Sequence, residues 1–186
     1  QDVSDAVPQY ISGDVRSIAG TAHENVLSVL ADGDRSKIFM YNYKDEGQAE
    51  SRVQSAWHEF TFTSDDEILL ADYIDTTMYI ISKRSDGIFI DKMEMEPGMV
   101  DASSTYRTHI DRRIDADDLA VTPTYSASTD LTTITLPYKL YGTSRVEVIA
   151  KTGARFDSSF TVGENLIYVS GDITGEDYWI GLLYLM

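Results

Sequence analysis

Ser36-Lys37-Ile38-Phe39-Met40-Tyr41-Asn42-Tyr43 sets the reading of the fold. Successive strand residues point to opposite faces, so Ile38, Met40 and Asn42 share one side of a candidate strand and Phe39, Tyr41 and Tyr43 the other. Upstream, Val26 to Leu30 repeats the pattern, and Asp32-Gly33-Asp34 between the two supplies turn chemistry. Further candidate strands are Ile68 to Ala71, Met78 to Lys83, Ile88 to Met95, Leu131 to Leu136, Val146 to Ala150 and Leu166 to Val169. Ser85-Asp86-Gly87, Thr152-Gly153 and Gly171-Asp172 punctuate them. No stretch keeps an apolar face at helical spacing over three turns. The best helical candidate, Asp45 to Ala56, contains Gly47 and is mostly polar. The expected class is all-β.

A shift of 50 residues pairs Ile18 with Ile68, Leu30 with Ile80, and Ile38-Phe39 with Ile88-Phe89. Each unit then holds a strand, a hairpin and a further strand, and Trp57 to Phe62 adds a fourth to the first. Four short antiparallel strands in roughly 45 to 50 residues is the spacing of propeller blades. Residues 1–97 are therefore expected to form propeller-like blades, a partial set, in preference to a generic antiparallel sheet. Residues 98–121 are charge-dense and read as a polar connection. Residues 122–186, rich in Thr and Ser, read as a small β-sandwich or barrel-like region, truncated at its C-terminal end. That end, Tyr178-Trp179-Ile180-Gly181-Leu182-Leu183-Tyr184-Leu185-Met186, is about half the roughly 20 apolar residues a membrane-spanning helix needs. It reads as a buried strand, and a chain stopping there is expected to be a piece of a longer polypeptide.

The 186 residues carry 31 acidic and 15 basic side chains, a formal net charge of −16. Phosphate neutralisation takes clustered Lys and Arg, so this balance argues against gripping nucleic acid. At 42% hydrophobic and 11% aromatic residues the chain is too apolar for a disordered acidic tail. No cysteine is present, which removes disulfides, thiolate metal sites and cysteine nucleophiles.

The three histidines, His23, His58 and His109, have no histidine partner at metal-ligand spacing. His109-Ile110-Asp111 is a weak pair at best. His58 and Glu59, adjacent in a strand, point to opposite faces and cannot act as an acid/base pair. Asp32-Gly33-Asp34 lacks the other ligands of a calcium loop. Asp115-Ala116-Asp117-Asp118 reads as a solvated turn or helix cap before it reads as a cation site. Asp65-Asp66-Glu67 reads as a loop with no partner. With no Gly-x-Ser-x-Gly turn and no phosphate loop, the expected catalytic, cofactor-binding and metal residues are none, and no enzyme activity is expected.

Several stretches resemble one known family. Gln1-Asp2-Val3-Ser4 through Pro8-Gln9-Tyr10-Ile11, Val15 to Gly20, Asn25 to Leu30 and Gly33-Asp34 look like the tail tubular protein B family, the nozzle proteins of T7-like short-tailed bacteriophages. Ser36 to Tyr41 and Gln54-Ser55-Ala56-Trp57-His58-Glu59-Phe60 are the most specific parts, followed by Met78 to Ile81 and, more thinly, Tyr178 to Tyr184. The resemblance implies a virion structural protein of the phage tail, with a propeller-like domain in a much longer subunit. It implies a ring of identical subunits, taken to be a hexamer, that meets a tail adaptor protein and tail fibre protein and through which double-stranded DNA passes. The acidic excess would then keep the lumen wall from holding phosphate. The competing reading is a carbohydrate-binding or polysaccharide-degrading β protein of the tail, with Tyr10, Tyr41, Tyr43, Trp57, Tyr73 and Tyr79 as stacking platforms.

Overall fold

The structure is a computed structural model, and it describes residues 11, 13–21, 25–45, 52–62, 66–95, 110–140 and 145–183, with side chains at all of these except 44, 45 and 52–54. The described residues are all-β apart from one short 3₁₀ turn, and they form four antiparallel sheets. Two compact units divide the chain, residues 1–99 and 100–186.

In the first unit, β1 (Val15–Thr21), β2 (Val26–Ala31), β3 (Lys37–Asp45) and β4 (Arg52–Thr61) pair in sequence order as a four-stranded meander. The register sets Ser28 opposite Met40, and Met40 opposite His58. β4 begins at Arg52, inside the stretch that offered the best helical candidate; its residues from Gln54 to Ala56 continue the ladder with Lys44 to Asn42. A second meander follows, three-stranded: β5 (Glu67–Ile74), β6 (Thr77–Arg84) and β7 (Gly87–Glu94).

The alternation of β3 is used on both sides. Ile38 and Met40, both fully buried, join Val26 and Leu30 against Ile68, Ala71, Met78 and Ile80 of the second sheet. Phe60, Phe62, Tyr73, Met93 and Met95 close the edges of this cluster. Phe39 turns the other way, into a smaller cluster with Val29, Ala31, Ile11 and Trp57. A sheet that is apolar on both faces must be covered on both, and the second sheet covers the first of these.

In the second unit, one sheet has the order β13 (Ser158–Phe160), β14 (Leu166–Ser170), β10 (Leu131–Thr135), β9 (Thr124–Ser126). The other runs β12 (Arg155–Phe156), β11 (Val146–Ala150), β15 (Tyr178–Leu183), β8 (Ile110–Asp115). β15 is the apolar run at the end of the sequence, and Tyr178 to Gly181 are all buried between β11 and β8. β8 lies within the stretch expected to be a polar connection. Only Ile110 and Ile114 mark it as a strand, because it is an edge, where charged side chains are tolerated and protective. Residues 98–109 of that stretch lie outside the described residues.

β8 carries a bulge. Ile180 pairs with Ile114 and Leu182 with Asp111, so three β8 steps face two of β15. The extra residue is taken up by Arg112 at φ 50°, a left-handed conformation that costs a non-glycine side chain about 1–2 kcal/mol. Gly181 sits opposite, where an added Cβ would lie 2.6 Å from the Asp111 carbonyl oxygen. The buried Tyr138 hydroxyl donates to the carbonyl oxygen of Arg112 at 3.0 Å and so satisfies a backbone acceptor at the bulge.

Ile80 is 1% exposed at the centre of the inter-sheet cluster. Ile80→Ala is expected to cost about 2–5 kcal/mol, read as a fall in the urea midpoint. Val162→Ala, at a side chain 61% exposed, should stay within about 0.5 kcal/mol of the parent.

Candidate functional site

The polar groups concentrate in three places, and in each the side chains are already engaged with one another. The first is the β2–β3 turn, where it approaches β5. Asp32 pairs with Arg35 at 2.9 Å and with Arg16 at 3.4 Å, and Arg35 also bonds Glu67. Arg16 donates to the Ile68 carbonyl at 2.9 Å, and the Ile68 amide donates to the Arg35 carbonyl at 2.8 Å. The Asp34 carboxylate accepts from the Ser36 hydroxyl at 2.7 Å and from its amide at 3.0 Å, which holds that carboxyl below its usual range. Lys37 reaches across to Glu59 at 3.0 Å. The acids of Asp32-Gly33-Asp34 therefore organise a turn and fasten it to the next sheet. Glu67, expected in a loop without a partner, is the first residue of β5, and the Arg35 guanidinium pulls its carboxyl down. Asp66 is buried, and Asp65 lies outside the described residues.

The second place is the inner face of the β6–β7 hairpin. Arg84, with 5% of its side chain exposed, bonds Asp91 and lies 4.5 Å from the centroid of Phe89. Ser82 stands 3.5 Å from the same carboxylate. Composition does not single out these residues, but the hairpin register does: with Ser82 opposite Phe89 and Ile80 opposite Asp91, positions 82, 84, 89 and 91 share a face.

The third place surrounds Trp179. Its buried indole has Arg113 5.1 Å and Lys151 5.9 Å from the ring centroid. Lys151 pairs with Asp115 at 2.8 Å. Burial pushes the Asp115 carboxyl up, but Lys151, the Asp117 amide and the Trp179 side chain together bring it below its ordinary value. Asp115 also caps the 3₁₀ turn Ala116–Asp118 by accepting from the Asp117 amide at 3.2 Å. The acidic run 115–118 is thus a capped turn with a lysine on it.

His58 and Phe60 share one face, their rings edge to face at 5.3 Å, whereas Glu59 is on the opposite face with Lys37. Burial lowers the His58 pKa below 6.5. His23 and His109 lie outside the described residues. Asp111, from the His109-Ile110-Asp111 pair, is pushed up by burial against the opposing pull of Arg112. Among the described residues no three His, Asp or Glu side chains are grouped to hold a metal ion.

Of the aromatic residues that could form a sugar platform, Tyr41 is 2% exposed and packs at 5.0 Å on Trp57 and 6.1 Å from Tyr43. Tyr73 turns into the inter-sheet cluster, its hydroxyl 4.0 Å from the Met40 sulfur. Tyr10 lies outside the described residues. Tyr41, Trp57 and Tyr73 are thus engaged in internal packing, whereas Tyr79 is half-buried on the face of β6 opposite Met78 and Ile80.

In all three places, among the described residues, the charged side chains tie turns and strands together. Residues 1–186 match the sequence model of the bacteriophage nozzle proteins from end to end. The chain belongs to that family. It is 30% identical over 191 aligned positions to the tail tubular protein gp12 of Escherichia phage T7. The match covers 97% of this chain and 23% of that protein, so the chain spans under a quarter of the relative's length. As a nozzle-family protein it is a virion structural component of the phage tail. Among the described residues no helix is long and apolar enough to cross a membrane.

The pKa directions generate two expectations. The folded Asp115 pKa is depressed, so its contribution to stability is present above the unfolded value near 3.8 and is lost as pH falls through the folded value. Asp115→Asn should accordingly lower the thermal midpoint at pH 7, and the gap to the parent should close in strong acid; a gap independent of pH would show that the carboxylate charge is irrelevant. For His58, an NMR titration of the imidazole should give a midpoint below 6.5, with the ring neutral at pH 7.

Proposed function

We propose that this chain is part of the nozzle ring at the distal end of a short phage tail, through which DNA is ejected into the host. Identical subunits, expected as a hexamer, form the ring; a tail adaptor protein and tail fibre protein meet it; double-stranded DNA passes without specific binding. The observation that carries this reading is the family match along the whole of residues 1–186. In the same reading residues 1–97 supply propeller-like blades, 98–121 a connection and 122–186 a small β-sandwich or barrel-like domain. The consecutive meanders β1–β4 and β5–β7, stacked through one apolar cluster, support the blade assignment.

The charge supports the passage of DNA. Even if each of the 15 cations took one carboxylate, 31 − 15 = 16 acids would be left over, and a wall carrying part of that excess repels phosphate. A bare negative lumen lowers the residence time of the duplex on the wall and adds no affinity.

Static light scattering of the full-length polypeptide containing this chain is expected to give a closed oligomer as concentration rises. A protein that stays monomeric at the highest concentrations reached would overturn the ring. Electron microscopy of intact tails would then place the acids: a lumen neutral or basic along this chain would remove the repulsive wall.

A further inference from the structure

The sheet β13–β14–β10–β9 of the second unit buries one face and shows the other. Thr132, Ile134, Ile167 and Val169 are all 0% exposed on the buried side. The hydroxyl among them is engaged twice: Thr132 donates to the Gly171 carbonyl at 2.6 Å and accepts from the Ile173 amide at 3.2 Å. On the other side the register sets Ser159, Tyr168, Thr133 and Thr124 in one row across the four strands. Neighbours in such a row stand about 4.8 Å apart. Ser159 and Thr124 are exposed, and Tyr168 and Thr133 are half-buried. None of these four hydroxyls has a protein partner among the described residues.

No strand position on this face is charged, and apart from Leu131 and Leu166 every side chain on it ends in a hydroxyl. In this chain that is exceptional, since 25% of the residues are charged. Each of the other three sheets carries charge on a broad face: Lys37 and Glu59 on the first, Asp72 and Lys92 on the second, Asp115 and Lys151 beside Trp179. Two copies of a chain at −16 repel one another, and like charges set face to face oppose docking. A face without carboxylates escapes that penalty. Its hydroxyls donate as well as accept, so they suit the carboxylates that an acidic neighbour holds in excess. Tyrosine among small hydroxyl residues also gives adaptable contact at low cost in side-chain entropy. A neutral glycan has no carboxylates for these donors, and one tyrosine is a narrow platform for a sugar chain.

We propose that the row Ser159–Tyr168–Thr133–Thr124 is the seat for an acidic surface of a second copy of this chain, whose Asp and Glu side chains take up its hydroxyl donors. The contact rests on the ring reading above and gives that ring one of its subunit faces. It is heterologous, because the seat is free of acids and the surface it receives is rich in them.

Hydroxyl-radical footprinting of the full-length polypeptide containing this chain reads Tyr168 directly. Tyr168 is expected to react in the dilute monomer and to become protected as concentration rises through the association range. Protection already complete in the dilute monomer would give the face to another part of the same polypeptide and overturn the proposal. Equal reactivity in monomer and oligomer would overturn it as well, as would protection by added dextran without protection by concentration. In sedimentation equilibrium, Thr133→Glu is expected to weaken association about tenfold or more, whereas Thr133→Gln, neutral and still a donor, should change it by less than about threefold. Equal weakening by the two would reduce the effect to shape and remove the pairing of hydroxyls with acids. If Thr133→Glu fails to fold, Ser159→Glu carries the same test at an exposed position, and the footprint needs no variant. A parent that stays monomeric at every concentration sinks the ring and this contact together. A parent that associates, with both Glu substitutions without effect, sinks this face alone.

Discussion

Everything in the first unit depends on one apolar contact, the face of β2 and β3 laid on the face of β5 and β6. Val26, Leu30, Ile38, Met40, Ile68, Ala71, Met78 and Ile80 are all at most 2% exposed there. Full burial of a Val, Leu, Ile or Met side chain contributes about 1.5–3 kcal/mol, which makes this cluster the dominant favourable term between the two sheets. The ionic groups at its rim act differently. Exposed pairs such as Arg35 with Glu67 are screened and weak, and they cannot hold two sheets together against solvent. What they can do is fix alignment. Arg16 on the Ile68 carbonyl and the Ile68 amide on the Arg35 carbonyl tie the β2–β3 turn to the start of β5, and the Thr21 hydroxyl donating to the Asp75 carbonyl at 2.9 Å fastens the far end of β1 to the end of β5. Apolar burial sets the strength of the contact, and these bonds at its two ends set its register.

Much of this was legible because strands that bury a face must alternate. The alternation in Ile38 to Tyr43 placed Ile38 and Met40 on one side and Phe39 on the other, and the two clusters separate them in that way. β8 was not legible, since Ile110-Asp111-Arg112-Arg113-Ile114-Asp115 alternates only weakly and its partner β15 lies about seventy residues on. β12 has two residues, β9 and β13 three each, too short for any period to register. The partners of the acids were illegible for a related reason. Glu67 meets Arg35 across 32 residues of sequence and Lys37 meets Glu59 across 22, separations that only strand pairing and sheet stacking create. Where a partner is set by a nearby turn the sequence could have supplied it, as with Asp34 and Ser36 or the facing positions 82, 84, 89 and 91.

The same pairing shows in the ionisation of the acids. Catalytic carboxylates need pKa values pushed toward the working pH, and burial without a counter-charge is the usual means. Here Asp34, Glu67 and Asp115 are all shifted downward by donors or cations, so they remain ionised and serve as fasteners. Among the described residues Asp111 moves up, at a backbone bulge on an edge strand, with Arg112 drawing it back. His58, the one described histidine, is pushed toward neutrality against Phe60 with Glu59 on the far side of its strand. In each of these shifts the cause is a donor, a cation or burial set by how the strands and turns pack.

That arrangement bears on the acidity. A net charge of −16 on 186 residues adds self-repulsion that the core must overcome. The described cations do not dilute it evenly. Arg16, Arg35 and Lys37 gather at one turn, Arg84 is drawn into the sheet interior, and Arg113 and Lys151 lie against Trp179. Lys83, Lys92, Lys139, Arg145 and Arg155, by contrast, are exposed. Even so, 31 acids against 15 cations leave a net negative charge whose self-repulsion the apolar clusters offset. In the ring proposed above, a wall carrying part of this excess would repel passing phosphate without a conformational change.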